Sequence, residues 1–188
     1  MAVFDQNICF IDFETSGTNV FTDEPLQIGA CLVDKDLKII KTFNSYIKLK
    51  KGAKISREAQ EIHKIESSSL EESPSSKEVV KMFFDYLGND FCFAGWNISF
   101  DIPFFRKMCF EAKELKNFNE IDYRHIDVQT LFKIWAINSK SVQPGSFSHC
   151  LKTFGLKRAT AHDAFEDATL TLEVFRILTQ KFRNSDAT

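Results

Sequence analysis

The segment Ile8-Cys9-Phe10-Ile11-Asp12-Phe13-Glu14 is a short apolar run broken by two acids at alternate positions. A run of this kind predicts a buried strand, and the two-residue period of a strand puts both carboxylates on one face. That face constrains the fold strongly, because a buried carboxylate without a partner costs several kcal/mol or stays protonated. Two side by side require a cation between them, and a divalent metal supplies one. The alternative places Asp12 at the strand end and turns Glu14 into solvent beside Thr15, Ser16 and Gly17.

Two later segments carry acids in comparable settings. The apolar stretch Phe91 to Trp96 runs into Asn97-Ile98-Ser99-Phe100-Asp101 and then Pro103, which reads as strand, loop and helix start. Pro103 suits a first helical turn, where its missing N-H is not needed, and Asp101 two residues earlier is either an N-cap or a ligand. The stretch Thr160 to Ala168 opens a helix that continues through Leu170, Leu172, Val174, Phe175 and Leu178. Thr160 with Asp163 fits a capping box, His162 falls in the first turn, and Asp163, Glu166 and Asp167 suit the positive end of the helix dipole. Each acid has a structural explanation alone. Together, Asp12, Glu14, Asp101, His162 and Asp167 stand in the order that a two-metal phosphodiester-cleaving site requires.

In that combination the chain resembles the DEDD exonuclease superfamily, through Asp12-Phe13-Glu14-Thr15, Asn97 to Phe100-Asp101, and His162 five residues before Asp167. The superfamily includes the proofreading subunit of bacterial replicative DNA polymerase, ribonuclease T and oligoribonuclease. Histidine at 162 resembles the DEDDh branch; the other branch would have tyrosine where Asp163 stands. Ile55-Ser56, Ala59 and Ile62-His63-Lys64-Ile65 are similar to the segment that packs beside the 3'-terminal nucleotide in proofreading relatives, although His63 also fits a surface helix.

Oxygen-rich ligands favour two Mg2+ or Mn2+ ions, with Asp12 the natural bridge. The resemblance implies that Glu14 and Asp167 complete the site of the nucleophilic water and that Asp101 supports the second ion. His162, titrating near neutrality, is the candidate general base. The same resemblance implies 3'-5' polarity on DNA or RNA, release of nucleoside 5'-monophosphates, and substrate contacts from Thr15, Ile62, His63, Asn97 and Phe100. Phe100 serves either as a stacking surface or as core. The rival functions are a noncatalytic nucleic-acid-binding or polymerase-associated module of this fold, and an oligoribonuclease-like enzyme for very short RNA.

With 188 residues, 44% of them hydrophobic, one domain over 1–183 followed by a polar tail at 184–188 is expected. The 20 phenylalanines supply much of its core. A net charge of -2 does not announce a polyanion binder, but metals within an acidic centre attract phosphate themselves. Lys48, Lys50, Lys51, Lys54 and Arg57 form the best local path for a strand, or else a solvated loop. Five dispersed cysteines read as reduced thiols, and the sequence carries neither a leader pattern nor a membrane-length apolar run. The expectation is a cytoplasmic protein with no membrane association, acting on single-stranded nucleic acid or 3' ends. The short tail favours a free-standing enzyme over an obligate polymerase subunit.

The expected architecture is α/β. Strands at 8–14, 26–33 and 37–47 form an antiparallel meander. Helices follow at 56–62 and 77–87, then a strand at 91–94, a helix from 103 to about 115, a strand at 123–126, a helix at 128–138 capped by Asp127, and the terminal helix. Strand and helix alternation implies parallel crossovers. The family resemblance makes this a ribonuclease H-like mixed sheet flanked by helices.

Overall fold

A computed structural model of the protein describes residues 4–139, 142–160 and 162–185. Strands β1 (Ile8–Thr15), β2 (Pro25–Val33) and β3 (Ile39–Tyr46) form the expected antiparallel meander. Asp34 closes the β2–β3 turn by accepting from the backbone N-H groups of Asp36 and Lys38. β4 (Cys92–Gly95) pairs parallel with β1, and β5 (Asp122–Asp127) pairs parallel with β4, giving the order β3-β2-β1-β4-β5.

Alternation along β1 divides the core into two layers. Cys9, Ile11 and Phe13 face α2 (Ser76–Leu87) and α3 (Asp101–Ala112), where Phe105 packs against Phe83 and Phe93 at ring distances of 4.8 and 5.5 Å. Ile8 and Phe10 face α5 (Val128–Ser139), α6 (Phe147–Phe154) and α7 (Ala164–Ser185). Asp12 and Glu14 extend this second face beyond the last paired residue of β4, since Phe10 is already opposite Ala94. They therefore emerge at the carboxyl ends of the parallel strands, where open α/β sheets form ligand crevices.

Local chemistry explains most boundaries. Ser56 caps α1 (Arg57–His63), and Ser75 with Glu78 forms a complete capping box for α2. Asp127 caps α5 through Gln129 N-H and the Thr130 hydroxyl, and its Oδ1 also accepts from Asn97 N-H, tying the loop after β4 to β5. Three expectations need correction. Asp101 is the first residue of α3 and not its cap; its carboxylate turns back to β1 instead. Thr160 does not box with Asp163: Glu166 N-H donates to Asp163, while the Glu166 carboxylate binds Thr160. The helix after β4 ends at Lys113, whose φ of 62° breaks it, and a separate α4 (Leu115–Glu120) follows. Helix α6 has no counterpart among the expected elements.

Helix α7 continues through Ser185, into the stretch expected to be tail; residues 186–188 of that tail lie outside the described residues. All five cysteines are buried and unbridged. Among the described residues no helix is long and apolar enough to cross a membrane.

Candidate metal and nucleic-acid site

The acids converge because three elements meet above the end of β1. Gly29 of β2 stands opposite Asp12, and Gln27 opposite Glu14. A Cβ at Gly29 would lie 2.2 Å from the backbone nitrogen of Phe165, so only glycine lets the start of α7 descend onto the sheet. Gln27, 1% exposed, fastens the helix there. Its Nε2 donates to Asp163 at 2.8 Å, and its Oε1 accepts from Ala164 N-H at 3.3 Å. Asp101 arrives from the opposite layer, its Oδ1 accepting from Phe13 N-H at 3.1 Å.

Glu14, Asp101 and Asp167 are 7, 3 and 4% exposed, and Asp12 is half-buried. Among the described residues, Glu14, His162 and Asp167 bring one ligand atom each within 4.8 Å of one another. Asp12 and Asp101 are outside that trio; Asp12 feels the charge of Asp167 and Glu14, and Asp101 acts on both Asp12 and Glu14. Burial pushes Asp12 well above the usual carboxylate range, and Asp101, Asp167 and Glu14 add to the rise. Glu14 is pushed up to about 8 by burial and then by Asp167. Burial likewise raises Asp101 against the donation from Phe13, and Asp167 against its pairing with Arg158. Buried acids raised together in this way are short of positive charge, and their oxygen donors with one imidazole nitrogen fit a divalent cation.

One cationic side chain already reaches them. Arg158 grips Asp167 with Nε and Nη2, each 2.6 Å from a carboxylate oxygen, and its Nη1 lies 3.2 Å from His162 Nε2. Arginine only donates, so Nε2 is the acceptor and neutral His162 carries its proton on Nδ1, which faces Asp167 at 3.8 Å. His162 precedes α7 with φ at 37°, in the left-handed region, instead of lying in the first turn. Burial and then Arg158 hold its pKa below the ordinary histidine value.

Beside the acids lies a cavity of about 570 Å³ walled by Glu14, Thr15, Ile62, His63 and Phe100, within the range of about 300–1,000 Å³ typical of small-ligand sites. His63 is not a surface residue: it is 5% exposed, and its Nδ1 accepts from Ile65 N-H. The proton of the neutral ring is therefore on Nε2, which is buried, and the Thr15 backbone carbonyl acts on the ring as an acceptor. Phe100 is half-exposed and packs against Phe104 with the rings tilted by 50° and their centroids 5.2 Å apart. Asn97 is elsewhere: exposed, with φ at 57°, it shapes the turn into Asp101 and is not part of the cavity wall.

The lysine run is partly committed. Lys50 pairs with Glu24 and Glu111, and Arg57 pairs with Glu61, so neither is a free phosphate ligand. Gly29, Gln27 and Arg158 are absent from the sequence-derived site. Arg158 alone had a local signal, as an arginine four residues before the motif histidine.

A family model described as Exonuclease, RNase_T, matches residues 9–175. The chain is 30% identical over 172 residues to the 3'-5' exonuclease DinG of Staphylococcus aureus strain bovine RF122 / ET3-1, an alignment that covers 92% of this chain and 18% of that protein. The USA300 strain's DinG is 31% identical over 175 residues, again covering 92% and 18%. The chain thus spans about a fifth of the length of the curated relatives it matches. Escherichia coli exonuclease I in complex with a dT13 oligonucleotide superposes with a TM-score of 0.83 at 20% identity, over 97% of this chain and 43% of that one. Exonuclease I of Methylocaldum szegediense gives 0.76 at 20% identity, over 93% and 40%. Motifs, fold and family match agree, and the chain belongs to the DEDD-type RNase_T exonuclease family.

Proposed function

We propose that this chain is a metal-dependent 3'-5' exonuclease domain that removes nucleoside 5'-monophosphates from the 3' ends of single-stranded nucleic acid. The observation that carries the proposal is the convergence of Asp12, Glu14, Asp101 and Asp167 beside a cavity of nucleotide size, with Arg158 their one paired lysine or arginine among the described residues. The DinG relatives, named as 3'-5' exonucleases, support the polarity, and the oligonucleotide-bound exonuclease I supports a single-stranded substrate.

Asp12, Glu14, Asp101 and Asp167 would hold two Mg2+ or Mn2+ ions, whose chemistry is to neutralise charge at the reacting phosphate and make bound water acidic. Thr15, Ile62 and Phe100 offer the terminal nucleoside a wall on which any base can pack. His63 stands on the same wall, its ring held beside the Thr15 backbone, where it offers the sugar a polar edge. His162 is neutral near pH 7, and its Nε2 lone pair takes the proton of the attacking water.

The direct test is product analysis. Incubation of single-stranded DNA and RNA with Mg2+ or Mn2+ should yield nucleoside 5'-monophosphates and shortened strands ending in a 3'-hydroxyl. Comparison of a dinucleotide with a long strand separates this reading from an oligoribonuclease-like enzyme, whose rate would collapse with length. Retained binding without any cleavage would replace it with the noncatalytic module.

A further inference from the structure

Arg158 holds both groups that the proposed reaction needs free. Its fork occupies both oxygens of Asp167, and its remaining nitrogen lies on the His162 lone pair assigned to proton transfer. The contact is sheltered, with side-chain exposures of 15% for Arg158 and 6% for Asp167, and Phe147 underlies the guanidinium at 5.1 Å. A divalent ion bound by Asp167 would face the guanidinium as a like charge at close range, so the two cations compete for one carboxylate.

The loop is built so that the side chain can leave while its backbone stays. Glu166, in the first turn of α7, accepts from the backbone N-H groups of Ala159 and Thr160 and so anchors the residues after Arg158. On the other side, Arg158 borders a second cavity of about 300 Å³, with Lys152, Lys157 and Ser148 also on its wall. A guanidinium displaced from Asp167 would have this space to turn into, in company with two lysines, and its five donors match phosphate oxygens.

We propose that Arg158 is an exchange cation: it stands in for the metal on Asp167 and His162, is expelled when a divalent ion binds, and then holds a phosphate of the substrate strand. This rests on the metal-dependent reading above. The exchange couples metal binding to substrate binding, because only the metal-loaded protein has a free guanidinium.

Two titrations test it on wild type, Arg158→Gln and Arg158→Lys, with thermal melting as the control for folding. Calorimetry with Mn2+ alone should give binding about tenfold tighter in Arg158→Gln, since the ion no longer displaces a bidentate partner. Arg158→Lys keeps the charge and loses the fork, and should fall between the two; it serves alone if the glutamine variant does not fold. Fluorescence anisotropy in saturating Mn2+, with a cleavage-resistant phosphorothioate single strand, should show affinity at least tenfold weaker in both variants. Unchanged or weaker Mn2+ binding, or unchanged oligonucleotide affinity, overturns the exchange. Wild type that binds no Mn2+ overturns both this inference and the proposed function.

Discussion

Gly29 stands across the β1–β2 ladder from Asp12, and the position its Cβ would take is filled by the backbone nitrogen of Phe165, 2.2 Å away. A missing side chain on β2 thus sets the distance between an acid on β1 and one on α7. Gly29→Ala should lift the start of α7 and carry Asp167 from Asp12. The expected cost is about 1–3 kcal/mol by urea unfolding, with weakened Mn2+ binding by calorimetry. Wild-type metal affinity in this variant would mean that α7 does not depend on the close approach.

Without metal, the crowded acids should make stability fall as pH rises. Glu14 has an ordinary pKa of 4.5 and is raised to about 8 in the folded protein. Between those values the folded state binds more protons than the unfolded state, so the slope of unfolding free energy with pH is negative. Asp12, Asp101 and Asp167 shift the same way. Mg2+ takes the place of those protons and should flatten the slope. Urea melts at pH 5 and pH 8, with and without Mg2+, check this; metal-free stability that rises over the window would contradict it.

His162 has two chemical options, since it lies among the potential metal donors and also presents a lone pair at Nε2. The proton-transfer role predicts that His162→Gln lowers kcat by about 10²–10⁴ while Mn2+ affinity stays within a few-fold of wild type. Loss of Mn2+ binding would make His162 a ligand.

Phe100 is half-exposed on the cavity wall and supported by Phe104. Phe100→Ala should leave the melting temperature nearly unchanged and raise KM by about 5- to 150-fold for single strands, because one base–aromatic contact contributes about 1–3 kcal/mol. Unchanged kinetics would remove Phe100 from the substrate site.

The sequence revealed what depends on residue type and local period. The alternation of Ile8 to Glu14 marked a strand with its acids on one face, and the order Asp12, Glu14, Asp101, His162, Asp167 marked the family. The meander and the parallel crossovers followed from hydrophobic runs and turn residues. What stayed hidden depends on long-range meetings. Gln27 binds Asp163 across 136 positions, and nothing near either residue signals the other. Asp101 looked like an N-cap because its local neighbours suit one, yet its partner is Phe13 N-H, 88 positions away. Helix α6 is only eight residues long, too short for its periodicity to stand out.

The proposed function requires the four acids and His162 to act as one metal-dependent exonuclease site. Time-resolved digestion of 5'-labelled single-stranded DNA and RNA in Mg2+ or Mn2+, beside a chelator control and a folded Asp12→Ala, Asp167→Ala double variant, tests it most directly. The expected result is a ladder shortening one nucleotide at a time from the 3' end, absent with chelator and in the variant. Internal cuts from the earliest times, or an undiminished ladder from the double variant, would contradict it.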